Sequence, residues 1–473
     1  MLSSRPAARF DRGVRADLVA GGFAIGLVGV ATAVGFAFDV RLHGAPRFPG
    51  APTPFGEWPV LGVWLPHVGP GTPLAVLIAV AAVAWGPPLA GRLPWRRALA
   101  AGYLLAVAWT VSLALVDGWS YGAANRLTTD DEYLSEVPGI TDIPAMLRTF
   151  TDRILDGQPD SWATHVAGHP PGATLIFVWL DRIGLGGGTP AALLCILTSA
   201  ATAIAVPVTI TALGRRDLAR AALPFVALLP GAVWMGVSAD ALFAGITAIA
   251  IALLALGATR TRESYVPATE SYRPAWVCAA LCLAAGALLG FGIFLSYGLI
   301  LMSPIALAVI WATRNWRALV LAVLAALAVV AAFALAGFWW LDGYHLVVGR
   351  YHQSIAEFRP YAYWVWADLA CLVLATGPAA VAGLRRAVPH LHNGLPGRPP
   401  TEPLVMLVRA AMLAVLTASL SGLSKAEVER IWLPFAVWLV AGAALLPAST
   451  RRGWLAAGAA VALAVNHLLL TNW

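Results

Sequence analysis

The sequence predicts an all-α fold: a polytopic membrane protein of about 13 transmembrane helices, with juxtamembrane surface helices in one large outer loop. Three observations carry that expectation. Of 473 residues, 59% are hydrophobic and only 12% charged, half the roughly 25% of an ordinary soluble domain. The apolar residues run in blocks near the ~20 residues that a bilayer core about 30 Å thick requires. Arginines gather at alternate block ends, as at Arg92, Arg96 and Arg97 and again at Arg215, Arg216 and Arg220, the bias that keeps basic residues on the cytoplasmic side. The net charge of +7 is therefore a topological signal, and nucleic acid is not expected as a partner.

Taken in order, the first block, 18–38, follows a basic start (Arg5, Arg9, Arg12, Arg15). It is too long for the apolar region of a secretory signal and reads as a retained span with the N-terminus inside. A Pro/Gly-rich loop, 41–72, carries Trp58, Trp64 and His67, side chains suited to the interface. Spans are expected at 73–90 and 98–116, and beyond a long polar segment at 190–213, 221–237, 242–256, 275–295, 299–313, 318–340, 363–384, 404–421, 432–446 and 454–470. The C-terminus then lies outside. The apolar piece GATLIFVWL within 170–185 is interrupted by Asp181 and Arg182 and is too short to cross. Counting it as a span would turn Arg215, Arg216 and Arg220 outward, so it reads as a helix in the outer interface. The stretch 389–403 reads as a flexible connector. Cys195, Cys278, Cys282 and Cys371 all sit in apolar blocks, without disulfide or metal spacing. The chain divides into N-terminal spans (1–117), an extracytoplasmic loop (118–189), a core transmembrane module (190–340) and C-terminal spans with outer loops (341–473).

The loop 118–189 is the most polar long stretch. Its run Asp130, Asp131, Glu132 places carboxylates at a membrane surface, where low dielectric raises their pKa and suits them to act as bases. Such a run can also hold a divalent cation through oxygen, and the plain alternative is a solvated acidic turn. His165 and His169 are four apart, a spacing that on a helix would put both on one face like metal ligands. Pro170 disfavours helix at His169, however, and two interfacial histidines without a ligand are an equal reading. His169-Pro-Pro-Gly reads as a rigid turn that starts the surface helix with proline in its first turn. Between these lie Ile143, Leu147, Phe150 and Ile154 at helical spacing, an amphipathic surface helix.

Two further outer loops, 341–364 and 421–432, supply His345, Arg350, His352, Arg359, Lys425 and Arg430. Such cations can clamp a phosphate or simply snorkel to lipid headgroups. Asp240, at the outer end of a span, and Asp368, inside one, are costly by about 2.5–3.5 kcal/mol at mid-bilayer. That cost points to a cavity or a structural hydrogen bond.

These features occur in a set order: a span, an outer loop with Asp131-Glu132 and Tyr133, an amphipathic surface helix, His169-Pro-Pro-Gly opening a second one, and a span ending in GRRDLARAA. In that order the chain resembles the GT-C superfamily, the polyprenyl-phosphate-sugar-dependent membrane glycosyltransferases. The stretch GALLGFGIFLSYGLILMSP resembles the paired short spans of that superfamily, and the resemblance covers 118–304. The motif SKAEVERIWLPF is similar to an actinobacterial-type integral membrane family.

The resemblance implies Asp131 or Asp130 as catalytic base on an acceptor hydroxyl, with Glu132 as its partner acid. It implies His169 and the outer cations Arg350, His352, Arg359, Lys425 and Arg430 as holders of the lipid phosphate, with His165, Tyr133 and Asp240 as further candidate substrate-binding residues. The implied partners are a polyprenyl-phosphate-linked sugar donor, an envelope glycan or lipid acceptor, and membrane lipids. Transfer would occur with inversion on the outer face of the plasma membrane, and a divalent cation is the one cofactor left open. This chain departs from the pattern in placing the acidic loop after the third span, in ending the turn with Gly172 where leucine is usual, and in carrying an extra acid. A large outer C-terminal domain is not expected, so acceptor recognition would fall to the loops. The rival reading is a transporter or flippase of a lipid-linked or anionic substrate. Transporters usually show internal repeats and mid-membrane charges; here no repeat is visible and the charges gather at one face.

Overall fold

The computed structural model describes residues 12–40, 59–259, 274–388 and 402–471. Arg5, Arg9, Trp58 and the connector up to residue 401 lie outside the described residues. Among the described residues, eight helices are long and apolar enough to cross a membrane. The spans expected at 18–38, 73–90, 98–116, 190–213, 242–256, 275–295, 318–340 and 404–421 each fall on one of them. The protein is an all-α, multi-pass membrane protein. Its only strands among the described residues are Gly62–Trp64 and Leu469–Thr471, paired antiparallel.

By length and composition eight helices qualify among the described residues, or nine if one bent pair is a single span, and the remaining expected spans fall on shorter or broken helices. The bent pair is Tyr361–Thr376 and Pro378–Ala387, which meet at 108°. Gly377 between them has a φ of +75°, open to glycine, and Pro378 cannot continue the ladder of amide donors. The expected span 221–237 breaks near Pro230 into Arg216–Ala227 and Ala232–Met235. The expected 299–313 and 432–446 are shorter apolar helices, Tyr297–Thr313 and Leu433–Leu445. The last span becomes Arg451–Leu468, which runs directly into the second strand.

Small residues let the helices approach closely, as membrane packing requires. A Cβ on Gly286 would lie 2.0 Å from the carbonyl oxygen of Ala322, and one on Gly245 would lie 2.0 Å from that of Thr198. All four cysteines are free, and Cys282 packs against Gly257. At the arginine-rich end, fully buried Asp17 takes 2.6 Å bonds from both Arg385 and Arg386, tying the first helix to Pro378–Ala387.

The loop 118–189 packs as a folded cap on the opposite end of the bundle. The expected amphipathic helix is Ile143–Thr149 continued by a 3-10 turn, with Met146, Leu147, Phe150 and Ile154 buried. Trp162 donates to the Phe150 carbonyl at 2.9 Å, and Arg153 lies over its ring. The surface helix is Pro171–Arg182, and Gly172 meets the Phe294 carbonyl so closely that a Cβ would sit 2.5 Å from it. Beside the cap, Asp117 binds Arg126 at 2.9 Å and His67 at 2.8 Å, while Arg126 also donates to the Thr471 carbonyl.

Gly286→Leu should lower the melting temperature in detergent by several degrees, because the collision at Ala322 is with backbone. Gly26→Leu, where a Cβ meets nothing within 4 Å, should leave it unchanged. Equal effects at the two positions would refute the close contact between Ala275–Leu295 and Trp316–Leu335.

Candidate functional site

Four separate stretches converge under the cap. The first is Asp130 to Tyr133, entering the short helix Tyr133–Glu136. The second is the turn Thr164–Ala167 and His169. The third is Asp240, in the first turn of Ala239–Ala258, whose N-cap Ser238 accepts from the Ala241 amide. The fourth is Lys425 to Arg430, just ahead of Leu433–Ala441.

Arg430 joins them. Its buried guanidinium donates to Asp240 at 2.6 Å, to Glu427 at 2.8 Å and to Nε2 of His165 at 3.1 Å. Burial opposes its charge, but Asp240, Glu427 and Glu132 outweigh burial and raise its pKa. Glu427 bridges to a second buried guanidinium, Arg359, at 2.9 Å. Burial alone would raise the Glu427 carboxyl, yet Arg359 and Arg430 hold it well below the ordinary carboxylate range. Arg359 also donates to the Lys425 carbonyl at 2.6 Å.

The tautomer of His165 follows from its partners. Nδ1 lies 2.9 Å from the Asp131 carbonyl, which can only accept, so Nδ1 carries the hydrogen. Nε2 then keeps its lone pair and accepts from Arg430. His165 is held neutral, 3.5 Å from the buried carboxylate of Glu132. The Asp131 carbonyl also takes the His165 amide at 2.9 Å. Asp131 itself is exposed, and its carboxylate accepts from the Thr164 hydroxyl at 3.0 Å. Asp130 is exposed as well, and its carbonyl accepts from Ser135.

A second ring of groups is neutral. His169 donates from Nδ1 to the His165 carbonyl at 2.8 Å, and burial lowers its pKa. Its ring packs 5.8 Å from both Tyr133 and Phe243. Burial, followed by Glu132 and Asp240, raises the phenol of Tyr133 well above its ordinary value.

The Lys425–Arg430 turn is strained. Ala426 and Glu427 have φ values of +65° and +62°, a left-handed region that costs non-glycine residues roughly 1–2 kcal/mol each. The turn is tied down where it strains: the Ala426 amide donates to Asp368 at 3.1 Å, and Glu427 sits between two guanidiniums. Glu429 is buried beside this turn, and among the described residues neither of its carboxyl oxygens has a hydrogen-bond partner in ordinary geometry. Burial pushes its carboxyl from 4.5 to about 7.

The structure therefore gathers Glu132, Tyr133, His165, His169, Asp240, Arg359 and Arg430, with Asp131 at the rim and Lys425 on the same turn. It leaves Arg350 and His352 elsewhere: Arg350 pairs with Asp156 at 2.7 Å, and exposed His352 pairs with Glu357. Glu427 and Glu429 went unread in the sequence, although Glu427 and Arg430 stand at the i, i+3 spacing of a helical ion pair. Among the described residues no three His, Cys, Asp or Glu side chains group as a cation's ligands would. Asp240 and Glu427 meet guanidinium groups instead.

No protein-family model and no curated protein sequence matches the chain. Among solved structures, an oligosaccharyltransferase of Archaeoglobus fulgidus, crystallised in complex with Zn and sulfate, superposes with a TM-score of 0.49 at 15% identity, covering 79% of this chain and 53% of that one. ArnT from Cupriavidus metallidurans bound to undecaprenyl phosphate superposes with a TM-score of 0.41 at 17% identity, covering 72% and 59%. Its apo state gives the same TM-score at 18% identity. The chain thus spans only a little over half the length of the solved structures it matches.

Arg430→Gln should destabilise the protein strongly, by about 3–5 kcal/mol, since it strands Asp240 without its cation and leaves Glu427 with Arg359 alone. Adding Asp240→Asn should recover part of that loss in thermal unfolding; a strictly additive double variant would show that the pair is not coupled. Glu429 makes a pH prediction. Its folded pKa is raised, so the folded state binds the extra proton and stability falls as pH rises from about 4.5 through about 7. Glu429→Gln should flatten that part of the melting-temperature profile and stabilise the protein most above neutrality. A variant profile parallel to wild type would refute it.

Proposed function

We propose that the protein is a membrane glycosyltransferase that moves a sugar from a polyprenyl-phosphate donor to a cell-envelope acceptor. One observation carries the reading. Asp131 presents an exposed carboxylate at the rim while its backbone is clamped by His165, the top of a buried His165–Arg430–Asp240 column. A base must reach its substrate and be held in one orientation, and of the clustered acids Asp131 alone combines exposure with an oriented carboxylate. The resemblance of the sequence to the GT-C superfamily supports the same assignment.

In this reading Asp131 takes the proton of the acceptor hydroxyl as that oxygen attacks the anomeric carbon. The bond from that carbon to the donor phosphate oxygen breaks, its electron pair stays on the phosphate, and the anomeric centre inverts. The half-buried ammonium of Lys425 lies 5.5 Å from the Tyr351 ring, and burial lowers its pKa. It is the group we assign to offset charge on the departing phosphate. Arg430, His165 and Glu132 position Asp131. The site faces the cell exterior: Arg92, Arg96, Arg97, Arg215, Arg385 and Arg386 lie at the other end of the bundle, as cytoplasmic loops would.

The test is transfer by purified protein in vesicles supplied with a labelled polyprenyl-phosphate sugar and envelope extract. Asp131→Asn should lower turnover by about 10²–10⁴-fold, the range for losing a general base, with Asp130→Asn and Arg350→Gln close to wild type. Normal transfer by Asp131→Asn would remove the base assignment. Movement of labelled donor across the bilayer without chemical conversion would replace the enzyme by a flippase.

A further inference from the structure

The arginine-rich end of the bundle holds a feature that this chemistry does not use. A groove of about 250 Å³ opens between Thr72–Arg92, Trp95–Ala114 and Arg216–Ala227, lined by Ala81, Trp85, Gly86, Leu89, Gly102 and Leu223 among others. The lining is almost wholly apolar, and the large side chains at its edge, Trp85 and Leu89, are exposed. Its mouth is the opposite. Arg92 ends one helix, and Arg96 and Arg97 open the next; all three are exposed. Arg220 is fixed in the rim by bonds of 2.5 Å to the Ala90 carbonyl and 3.0 Å to the Leu93 carbonyl. Arg216 and Arg220 both lie over the ring of Trp95, at 5.6 and 5.5 Å.

We propose that this groove binds an anionic phospholipid. An apolar slot between helices accepts an acyl chain. The guanidiniums at its mouth meet the phosphate, and basic pockets between spans on the cytoplasmic side recognise anionic headgroups in this way. A zwitterionic lipid would fill the slot without using the charge. A soluble anion would use the charge without filling the slot. Trp95, with two guanidiniums over its ring, marks the headgroup level, the usual station of interfacial tryptophan. The occupant is thus fixed by charge and apolarity together, and the site is independent of the transferase reading.

The experiment adds phosphatidylglycerol, phosphatidylcholine or inorganic phosphate to the delipidated full chain in detergent. Retained lipid is read by native mass spectrometry and stabilisation by thermal unfolding. Phosphatidylglycerol should be retained and raise the melting temperature by several degrees, whereas phosphatidylcholine and inorganic phosphate should do neither. Replacing Arg92, Arg96 and Arg97 by glutamine should weaken phosphatidylglycerol binding by roughly fivefold for each arginine and about a hundredfold together. Gly86→Leu fills the slot, where an added Cβ meets Pro224 at 3.6 Å, and should abolish retention with every arginine intact. Equal stabilisation by phosphatidylcholine would overturn the proposal. So would full stabilisation by inorganic phosphate, or wild-type binding by Gly86→Leu. Gly86→Leu decides the matter if the arginine variant fails to insert.

Discussion

The buried guanidinium of Arg430 is the constraint on which the rest of the site depends. Removing a charge of that size from water costs several kcal/mol even after relaxation, and only close, well-aligned counter-charges offset it. Asp240 and Glu427 supply them, and His165 takes a further N–H. The three acceptors come from a bundle helix, a strained turn and the cap. A planar fork of donors suits this task, because one rigid group can hold several partners at fixed angles. Lysine, a point charge on a flexible stem, would not fix the same geometry. The cap on this side of the bundle is therefore registered to the spans by electrostatics as well as by packing of Phe150, Trp162 and Phe177.

The strained turn follows from that constraint. Two successive left-handed residues without glycine, Ala426 and Glu427, persist only where the surroundings over-determine them. The Asp368 carboxylate holds one backbone amide, and two guanidiniums grip the next side chain. Glycine at these positions would relieve the strain and also release the turn in the unfolded chain. The observed residues keep the carboxylate of Glu427 where both arginines need it. The ion pairs and the Asp368 bond thus offset the strain and hold the turn in one arrangement, as preorganisation of a site requires.

Much of the fold was legible because hydropathy is a local property. Eight blocks of adequate length became eight long helices, and the short GATLIFVWL block became a surface helix packed on Phe294. The breaks within blocks were not legible because a window averages over them: Gly377-Pro378 and Pro230 are visible in the sequence, yet the flanking residues stay apolar through the turn. The site was legible as parts only. Glu132, His165, Asp240, Arg359 and Arg430 each stood out as charge or imidazole near a span end, but Asp240 and Arg430 are 190 residues apart and His165 and Arg430 are 265 apart. No local pattern pairs them. Glu427 had a local signal and was hidden by the more conspicuous lysine and arginine beside it. Arg350 and His352 looked equivalent to Arg359, and only the structure separates cations paired elsewhere, with Asp156 and Glu357, from one buried in the network.

The same pairing narrows the chemistry. His165 accepts from Arg430 and donates to the Asp131 carbonyl, so its lone pair is occupied and it cannot collect a proton from a substrate without breaking the column. His169 is buried with its Nδ1 committed to a carbonyl. Glu132 and Asp240 lie inside the network, where a substrate oxygen would have to displace an ion-pair partner. Among the groups gathered here, that leaves an exposed carboxylate, Asp131, with the freedom to accept a proton. In the proposed transfer, it is the ammonium of Lys425, rather than Arg430 or Arg359, that is left to meet charge on the leaving group. In the proposed reaction this network contributes position, and the reacting groups stand at its edge.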